Sequence, residues 1–322
     1  MRLVPHTLSI APMMDVTDRH FRFFLRLITK HTLLYTPMIH AKAILLGDRQ
    51  RLLDFNPMEH PIAIQLGGGN PAELAQAAKI CEEFGYDEVN LNVGCPSSRV
   101  QDGNFGACLM ATPELVAEAI SQMKAAVKIP VTVKHRVGID DRDQYEDMLD
   151  FVDTVAKANC DRFIVHARKA WLNGLNPKQN RSVPPLCYDK VYRLKRERPE
   201  LTIVINGGIR TLDETRTHLD QVDGVMIGRA AQETPLIFVE ADGKIFGTNT
   251  RQPSIFEAMG EYIEKEKLAG IHPRDITRHL AGLSHGMPGG KTWRAMAMEG
   301  HPDLFKQPIL AKLAVERRAT NI

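Results

Sequence analysis

Short apolar runs recur along the chain, and amphipathic helical patterns separate them. The segment Thr17–Lys30, for example, places Phe21, Phe24 and Ile28 on one helical face. The apolar runs predict eight strands: Leu8–Met13, Leu33–Met38, Ile62–Gly67, Glu88–Val93, Val131–Arg136, Arg162–His166, Thr202–Asn206 and Gly224–Ile227. Strand followed by helix, eight times over roughly 230 residues, predicts an α/β fold, a (β/α)8 TIM barrel. A doubly wound sheet competes with it, but such sheets usually stop at about five or six strands.

After the eighth predicted strand only helical periodicity is found. The stretch Gly247–Ser254 is polar and rich in turn residues, which is typical of a linker. We therefore predict a barrel domain over residues 1–246 and a C-terminal all-α helical domain over residues 254–322. The helices predicted for the second domain are Ser254–Lys267, Pro273–His285, Thr292–Met298 and Ile309–Arg318.

The composition is that of an ordinary globular chain, with 43% hydrophobic and 25% charged residues. The amino-terminal residues lack the layout of a signal peptide, and no window has the apolar length of a membrane span, so we expect a cytoplasmic protein without membrane contact. The five cysteines are widely spaced and include no C-x-x-C pair. We therefore expect neither a disulfide framework nor a metal site.

The net charge of +2 is unevenly distributed. The segment Arg162–Arg198 holds ten Lys and Arg against two acids, a local +8, and Gly270–Ile322 holds eight against four, a further +4. Two basic segments in different parts of the chain favour a polyanionic partner, of which nucleic acid is the commonest. The alternative is that such runs are only solvated helix faces.

Polar residues cluster where the predicted strands end, which is where barrels of this class carry their chemistry. Cys95 lies between Gly94 and Pro96 in a tight loop, so a chemical role fits it better than that of a buried small hydrophobe. The residues at the strand ends are Asp15, Gln65, Asn90, Asn92, Cys95, Lys134, Arg136, His166, Arg168, Asn206 and Arg229. Together they predict an active site.

Two glycine-rich strand ends indicate a phosphate site. Asn206–Gly208 follow the seventh strand and Gly228–Arg229 the eighth, where barrels commonly bind phosphate through backbone N–H groups. A phosphate held there would direct the attached molecule toward Gln65, Lys134 and His166, which are donors that a flavin ring requires. These residues permit flavin mononucleotide (FMN), although a sugar phosphate would satisfy them equally well.

At this point the motifs resemble a known family. The segments that carry the resemblance are Ala11–Asp15, Thr17–Arg22, Gln65–Gly68, Asn90–Ser97, Val133–Lys134, Val165–Ala170, Asn206–Ile209 and Gly228–Arg229. They are similar to the tRNA-dihydrouridine synthases, and most of all to their A-type branch, which modifies positions 20 and 20a of the tRNA D-loop. The similarity runs essentially from end to end.

The resemblance implies an FMN-dependent oxidoreductase that converts uridine in tRNA to 5,6-dihydrouridine, with NADPH as electron source. It implies an FMN-binding catalytic barrel, a tRNA-binding helical domain and no stable protein partner. Cys95 would be the proton donor and Asn92 would hold the target uracil. The implied FMN contacts are Met13, Met14, Asp15, Gln65, Lys134, His166, Asn206, Gly207, Gly208, Gly228 and Arg229.

The basic segments predict how tRNA is held. Lys178 and Arg181 fall in the long loop after the sixth strand, and Lys291 and Arg294 lie three residues apart on one helix face. We expect these two pairs to flank a groove above Cys95. Arg168 is assigned to the same tRNA-binding surface.

One position departs from the family pattern, since Pro37 follows Tyr35-Thr36 where the family often has Glu. Two other functions stay open on the sequence. An FMN barrel acting on a free pyrimidine would not need the basic segments or the helical appendage. An RNA-binding protein with an inactive barrel is disfavoured by the intact Cys95, Lys134 and His166.

Overall fold

The alternation of apolar runs and helical patterns folds into a closed barrel of eight parallel strands, as the sequence predicts, in a computed structural model that describes residues 4–248 and 254–307. Each strand pairs with its neighbour in the chain, and β1 closes the barrel against β8. The strands are β1 (Leu8–Ile10), β2 (Leu33–His40), β3 (Ile62–Gly67), β4 (Glu88–Val93), β5 (Val131–Arg136), β6 (Arg162–His166), β7 (Ile203–Asn206) and β8 (Gly224–Ile227). The (β/α)8 fold class is confirmed.

Helices cover the outside of the barrel and continue beyond β8. They are α1 (Arg19–Arg26), α2 (Ala41–Leu46), α3 (Arg49–Leu53), α4 (Pro71–Glu83), α5 (Ser98–Asp102), α6 (Pro113–Ala126), α7 (Tyr145–Ala156), α8 (Tyr188–Glu197), α9 (Leu212–Leu219), α10 (Arg229–Glu233), α11 (Ala241–Lys244), α12 (Ile255–Leu268), α13 (Pro273–Thr277) and α14 (Gly290–Glu299). Short 3-10 helices occur at Pro5–Thr7, Pro57–Glu59, Gly106–Ala111, Gln179–Arg181, Pro235–Glu240, Arg278–Ser284 and Leu304–Lys306. None of the helices described here is long and apolar enough to span a bilayer.

Several element boundaries differ from the prediction. The first strand ends at Ile10 rather than Met13. The second strand continues to His40, past Pro37, and its register with β3 shifts between Tyr35 and Met38. Proline has no N–H to donate, so a strand tolerates it where the pairing is irregular.

The predicted helix Thr17–Lys30 is shorter at both ends in the structure. It begins at Arg19, because the side chain of Asp18 caps it by accepting hydrogen bonds from the backbone N–H groups of His20 and Phe21, and it ends at Arg26. In the C-terminal region the predicted helix Pro273–His285 divides into α13 and the 3-10 helix Arg278–Ser284. Helix α14 extends the predicted Thr292–Met298 by two residues at its start and one at its end. The predicted helix Ile309–Arg318 and most of the predicted linker lie outside the described residues.

The C-terminal helices pack against α1 of the barrel. His20 Nδ1 and the Tyr262 hydroxyl lie 2.8 Å apart, and the Phe23 and Tyr262 rings stack with centroids 3.9 Å apart. Arg19 forms ion pairs with Asp54 of the barrel and with Glu266 of α12. Helix α1 is therefore buried between the strands on one side and the C-terminal helices on the other.

Asp18 is the most highly connected carboxylate at this contact. Its Oδ2 accepts hydrogen bonds from Arg278 Nη2 at 2.6 Å and His279 Nε2 at 2.9 Å, while Oδ1 caps α1. Burial alone would raise the pKa of Asp18, but the interactions with His279, the backbone N–H of Phe21 and His20 together outweigh it and lower that pKa to about 2. The ionised form of Asp18 therefore stabilises the contact.

We expect Asp18→Asn to lower the free energy of unfolding by about 2 kcal/mol at pH 7. The folded pKa of Asp18 lies below its unfolded value, so this stability is complete above about pH 5 and is lost as the pH falls toward 2. Urea denaturation at pH 7 and at steps down to pH 3 measures the difference. Asp54→Asn, which removes a more exposed carboxylate, is the control and should cost less than about 1 kcal/mol. A penalty for Asp18→Asn that stays constant with pH would contradict this role.

Candidate active site

The carboxyl ends of the strands surround a cavity of about 360 Å³ at the mouth of the barrel. Fourteen of the residues predicted from sequence line it: Met13, Met14, Gln65, Asn92, Cys95, Lys134, Arg136, His166, Arg181, Asn206, Gly207, Gly208, Gly228 and Arg229. The barrel thus brings together side chains that lie more than 200 positions apart in the sequence. The other predicted residues, Asp15, Asn90, Arg168, Lys178, Lys291 and Arg294, are not among the lining residues.

A glycine turn after β7 forms one wall of the cavity. Gly207 and Gly208 have φ angles of +119° and +77°, which side chains rarely adopt. A Cβ atom on Gly207 would lie 2.8 Å from the His166 ring, and one on Gly208 would lie 2.6 Å from Leu186 Cδ1. Only glycine therefore fits here, and the backbone of the turn stays open to a ligand.

Five basic residues line the cavity, and none of the acidic residues that the structure describes does. They are Lys134, Arg136, Arg181, Arg210 and Arg229. Burial, together with the charge of Arg136, lowers the pKa of Lys134 to about 7 and that of His166 well below its usual value. Among the described residues Lys134 has no hydrogen-bond or ion-pair partner, so the cavity presents a half-buried, unpaired amino group to whatever binds there.

Arg136 belongs to the predicted set of strand-end residues, but the sequence alone indicated no individual role for it. Its Nε donates to the Gly94 carbonyl at 2.8 Å, and its Nη1 donates to the carbonyls of Lys169 at 3.0 Å and Asn180 at 3.1 Å. Arg136 therefore ties the Cys95 loop to the long loop after β6. The sequence does contain one indication that Arg136 belongs to the site. Alternate residues of a strand lie on the same face, so Arg136 of β5 lies on the same face as Lys134.

Cys95 is half-buried in a loop that the side chain of Asn92 shapes. Asn92 Oδ1 accepts hydrogen bonds from the backbone N–H groups of Gly94 at 3.1 Å and Cys95 at 2.9 Å. Asn92 Nδ2 donates to Gln65 Oε1 at 2.7 Å. One N–H of the Asn92 amide is left to contact a base. The side chain of Asn92 therefore holds the Cys95 loop in addition to its predicted role of binding the substrate.

The remaining predicted residues lie around the cavity. Asp15 has a left-handed backbone, with φ at 61°, and its carbonyl accepts a hydrogen bond from Arg278 at 2.9 Å. Arg168 donates to the Pro184 carbonyl within the long loop. Lys178 is exposed in that loop, and Lys291 and Arg294 are exposed on α14.

Half of the basic residues in the segment Arg162–Arg198 form ion pairs within the protein, so the local charge of +8 overstates the number of cations free to bind a polyanion. Five of the segment's ten basic residues pair with acids elsewhere in the chain. The pairs are Arg162–Glu88, Lys169–Asp143, Arg193–Glu146, Lys195–Asp223 and Arg198–Asp153. Sequence charge counts missed this because the partners come from distant segments.

Comparison with known proteins decides the family. Residues 9–316 match the family described as dihydrouridine synthase (Dus). The chain belongs to the dihydrouridine synthase family. It is therefore an oxidoreductase of that family, and the resemblance read from its motifs is confirmed.

Relatives of this dihydrouridine synthase family member are similar over most of their length. Proteins named tRNA-dihydrouridine(20/20a) synthase are 59% identical in Synechocystis sp., covering 89% of this chain and 87% of the relative. Those of Shewanella oneidensis and Escherichia coli are 54% and 53% identical, covering 91% and 90% of this chain and 88% and 85% of theirs. A solved complex of 2-naphthoyl-CoA reductase with 2-naphthoyl-CoA has a TM-score of 0.56 at 9% identity, over 73% of this chain and 49% of that one, and indicates the fold alone.

Because Lys134 has no partner among the described residues, it should lower the free energy of unfolding of the ligand-free protein. We expect Lys134→Met to raise the free energy of unfolding of the ligand-free protein by about 1–3 kcal/mol at pH 7. Between pH 7 and 10 the Lys134 amine stays protonated in the unfolded chain but loses its proton in the folded chain. The free energy of unfolding of the parent therefore rises with pH, and its difference from that of Lys134→Met becomes smaller. Urea denaturation at both pH values checks this, with the exposed Lys128→Met as control. A Lys134→Met variant no more stable than the control would contradict it.

Proposed function

We propose that the protein is an FMN-dependent tRNA-dihydrouridine synthase that reduces uridines 20 and 20a of the D-loop with NADPH as electron source. The carrying observation is one cavity in which the half-buried thiol of Cys95 meets a cationic, glycine-lined wall. The relatives named for this reaction, at 53–59% identity, support the substrate and the positions. A tRNA substrate in turn favours a cytoplasmic location.

The residues at the cavity fit FMN. The turn at Gly207 and Gly208 leaves the backbone open to a phosphate, and the guanidinium of Arg229 can add charge-assisted hydrogen bonds to it. Lys134 is half-buried and without a partner among the described residues, and its protonated form suits the edge of a flavin ring where negative charge develops. FMN, when bound, would supply the hydride that is added to C6 of the uracil.

The protein side chains would complete the reduction. Cys95 lines the cavity and would give its proton to C5 of the uracil, acting as general acid. Asn92 has one free N–H that can orient the base, and Arg136 holds the Cys95 loop by its Gly94 carbonyl. The target base must leave its stack to enter the cavity, which explains why the cavity is open at the mouth of the barrel.

Basic residues on two sides of the cavity suit a tRNA backbone. Arg181 lines the cavity and Lys178 precedes it in an exposed loop. On the other side, the exposed Lys291 and Arg294 belong to α14, which packs on the 3-10 helix Arg278–Ser284. Gly282 of that 3-10 helix in turn packs directly against Gln232 of α10. We propose that residues 1–246 form the FMN-binding catalytic domain and that residues 254–322 form a tRNA-binding domain.

Family membership disfavours the two other functions considered. A barrel that reduces a free pyrimidine would have no use for exposed cations on α14. An inactive RNA-binding barrel would have no reason to keep Cys95, Lys134 and His166 around one cavity.

Cys95→Ala tests the proposed chemistry. The variant should stay yellow and still oxidise NADPH, because no flavin contact is removed. Its formation of dihydrouridine on tRNA lacking the modification should fall by about 10²–10⁴-fold, since only the proton donor is lost. Cys187→Ala, which removes a thiol outside the cavity, is the matched control. Near-normal turnover of Cys95→Ala, or a protein that does not take up FMN, would overturn the proposal.

Replacing Lys291 and Arg294 together with Ala tests the tRNA surface. We expect weaker tRNA binding and a dependence of log affinity on log salt that is flatter by up to about 1–2 units, because phosphate contacts release counterions. FMN content and NADPH oxidation should not change. The control replaces Lys128 and Lys157, two exposed lysines at the opposite end of the barrel, and removes the same charge. Equal salt slopes for the two double variants would place the tRNA elsewhere.

A further inference from the structure

A continuous chain of buried hydrogen bonds runs through the barrel from its closed end to the Cys95 loop. It begins at Glu88, at the start of β4, and each member is buried. The bonds join Thr132 Oγ1 to Glu88 Oε1 at 2.6 Å, Asn90 Nδ2 to Thr132 Oγ1 at 2.8 Å, Gln65 Nε2 to Asn90 Oδ1 at 2.8 Å and Asn92 Nδ2 to Gln65 Oε1 at 2.7 Å. The chain ends where Asn92 Oδ1 accepts from Gly94 and Cys95.

The closed end of the chain is anchored by charge. Glu88 Oε2 accepts from Arg162 at 2.5 Å, and Oε1 also accepts from the Tyr35 hydroxyl at 2.6 Å. Burial raises the pKa of Tyr35 well above its usual value, so its hydroxyl stays a donor. A carboxylate surrounded by three donors can only accept hydrogen bonds.

This anchor gives the chain a direction. Because Glu88 can only accept, the Thr132 hydroxyl must donate to it, and the Thr132 oxygen then accepts from Asn90. Asn90 then has its oxygen free to accept from the Gln65 amide N–H, and Gln65 has its oxygen free to accept from the Asn92 amide N–H. Asn92 must therefore turn its oxygen toward the Cys95 loop.

The opposite direction would disrupt the loop. If the three amides were reversed, Asn92 would turn its N–H groups toward the N–H groups of Gly94 and Cys95, and donors would face donors. Both amide orientations have nearly the same shape, so packing alone does not choose between them. The carboxylate at one end of the chain can only accept and the backbone N–H groups of Gly94 and Cys95 at the other end can only donate, so both ends favour the same amide orientation.

We propose that Glu88 and Thr132 are positioning residues for Cys95, because the buried chain that starts at their hydrogen bond keeps Gln65 and Asn92 in the amide orientation that holds the Cys95 loop. This inference rests on the proposed role of Cys95 as proton donor. Neither residue lines the cavity, and neither needs to contact the substrate or the cofactor to act.

Thr132→Val is the sharpest test, since it replaces the hydroxyl by a methyl group and leaves Glu88 paired with Arg162. Glu88→Gln would also leave the buried Arg162 without a charge partner and so risks misfolding. Thr132→Ser keeps the hydroxyl and is the rescue variant. Thr215→Val is the matched control, because Thr215 is a fully buried threonine of α9 whose hydroxyl bonds only to the Thr211 carbonyl.

Two readouts do not depend on catalysis. Hydrogen exchange of the Gly94 and Cys95 amides should be about tenfold faster in Thr132→Val, with little change in peptides from α4, α6 or α9. The rate of Cys95 alkylation, followed by peptide mass spectrometry, should rise in the same variant because its loop is held less firmly. The kcat for tRNA should fall about tenfold at unchanged KM for tRNA, because the thiol is present but misplaced. Thr132→Ser should restore all three, and Thr215→Val should alter none.

Unchanged exchange at Gly94 and Cys95 in Thr132→Val, or faster exchange spread over the whole barrel, would overturn the inference. These outcomes are distinct from a failure of the proposed function. If Cys95→Ala stayed active, Cys95 would not be the proton donor, yet the exchange of its loop would still report on the buried chain.

Discussion

Closure of the barrel, by the pairing of β1 with β8, is the constraint on which the candidate site depends. Leu8, Ser9 and Ile10 pair with Val225, Met226 and Ile227, and the backbone N–H of Ala11 continues the ladder with a 2.8 Å hydrogen bond to the Ile227 carbonyl. This pairing joins the two ends of a sheet that spans more than 200 residues. It brings the loop after β1 beside the glycine turns after β7 and β8, so the cavity has a complete wall only when the barrel is closed.

Inside the closed barrel, polar side chains are tolerated because they satisfy one another. A buried amide or hydroxyl without a partner costs about 1–3 kcal/mol, so a single Asn or Gln among apolar residues would weaken the fold. Here each amide supplies the partner of the next, and the ion pair of Glu88 with Arg162 completes the series. The mouth is different, since Lys134 is left without a partner among the described residues. Lys134 therefore lowers the stability of the ligand-free fold at the cavity, which is where a ligand would supply the missing partner.

The C-terminal helices are part of the same arrangement rather than a separate attachment. Arg278 donates both to the carbonyl of Asp15, next to the cavity, and to the carboxylate of Asp18, which caps α1. The loop between β1 and α1 is therefore held from the barrel on one side and from the C-terminal helices on the other.

The sequence by itself determined the eight strands, the order of the helices, the cysteine loop and the glycine turns. These depend on periodicity and residue chemistry over a few neighbouring positions, which are visible in any short window. Local pattern could not separate α13 from the 3-10 helix after it, because the buried Ile276, Leu280 and Leu283 suit either kind of helix. Only the tertiary structure decided that Arg162 pairs with Glu88 inside the barrel, that Arg136 clamps the Cys95 loop and that the amide of Asn92 faces its own loop. Each of these depends on residues brought together by strand register and barrel closure, and their sequence separation carries no sign of that contact.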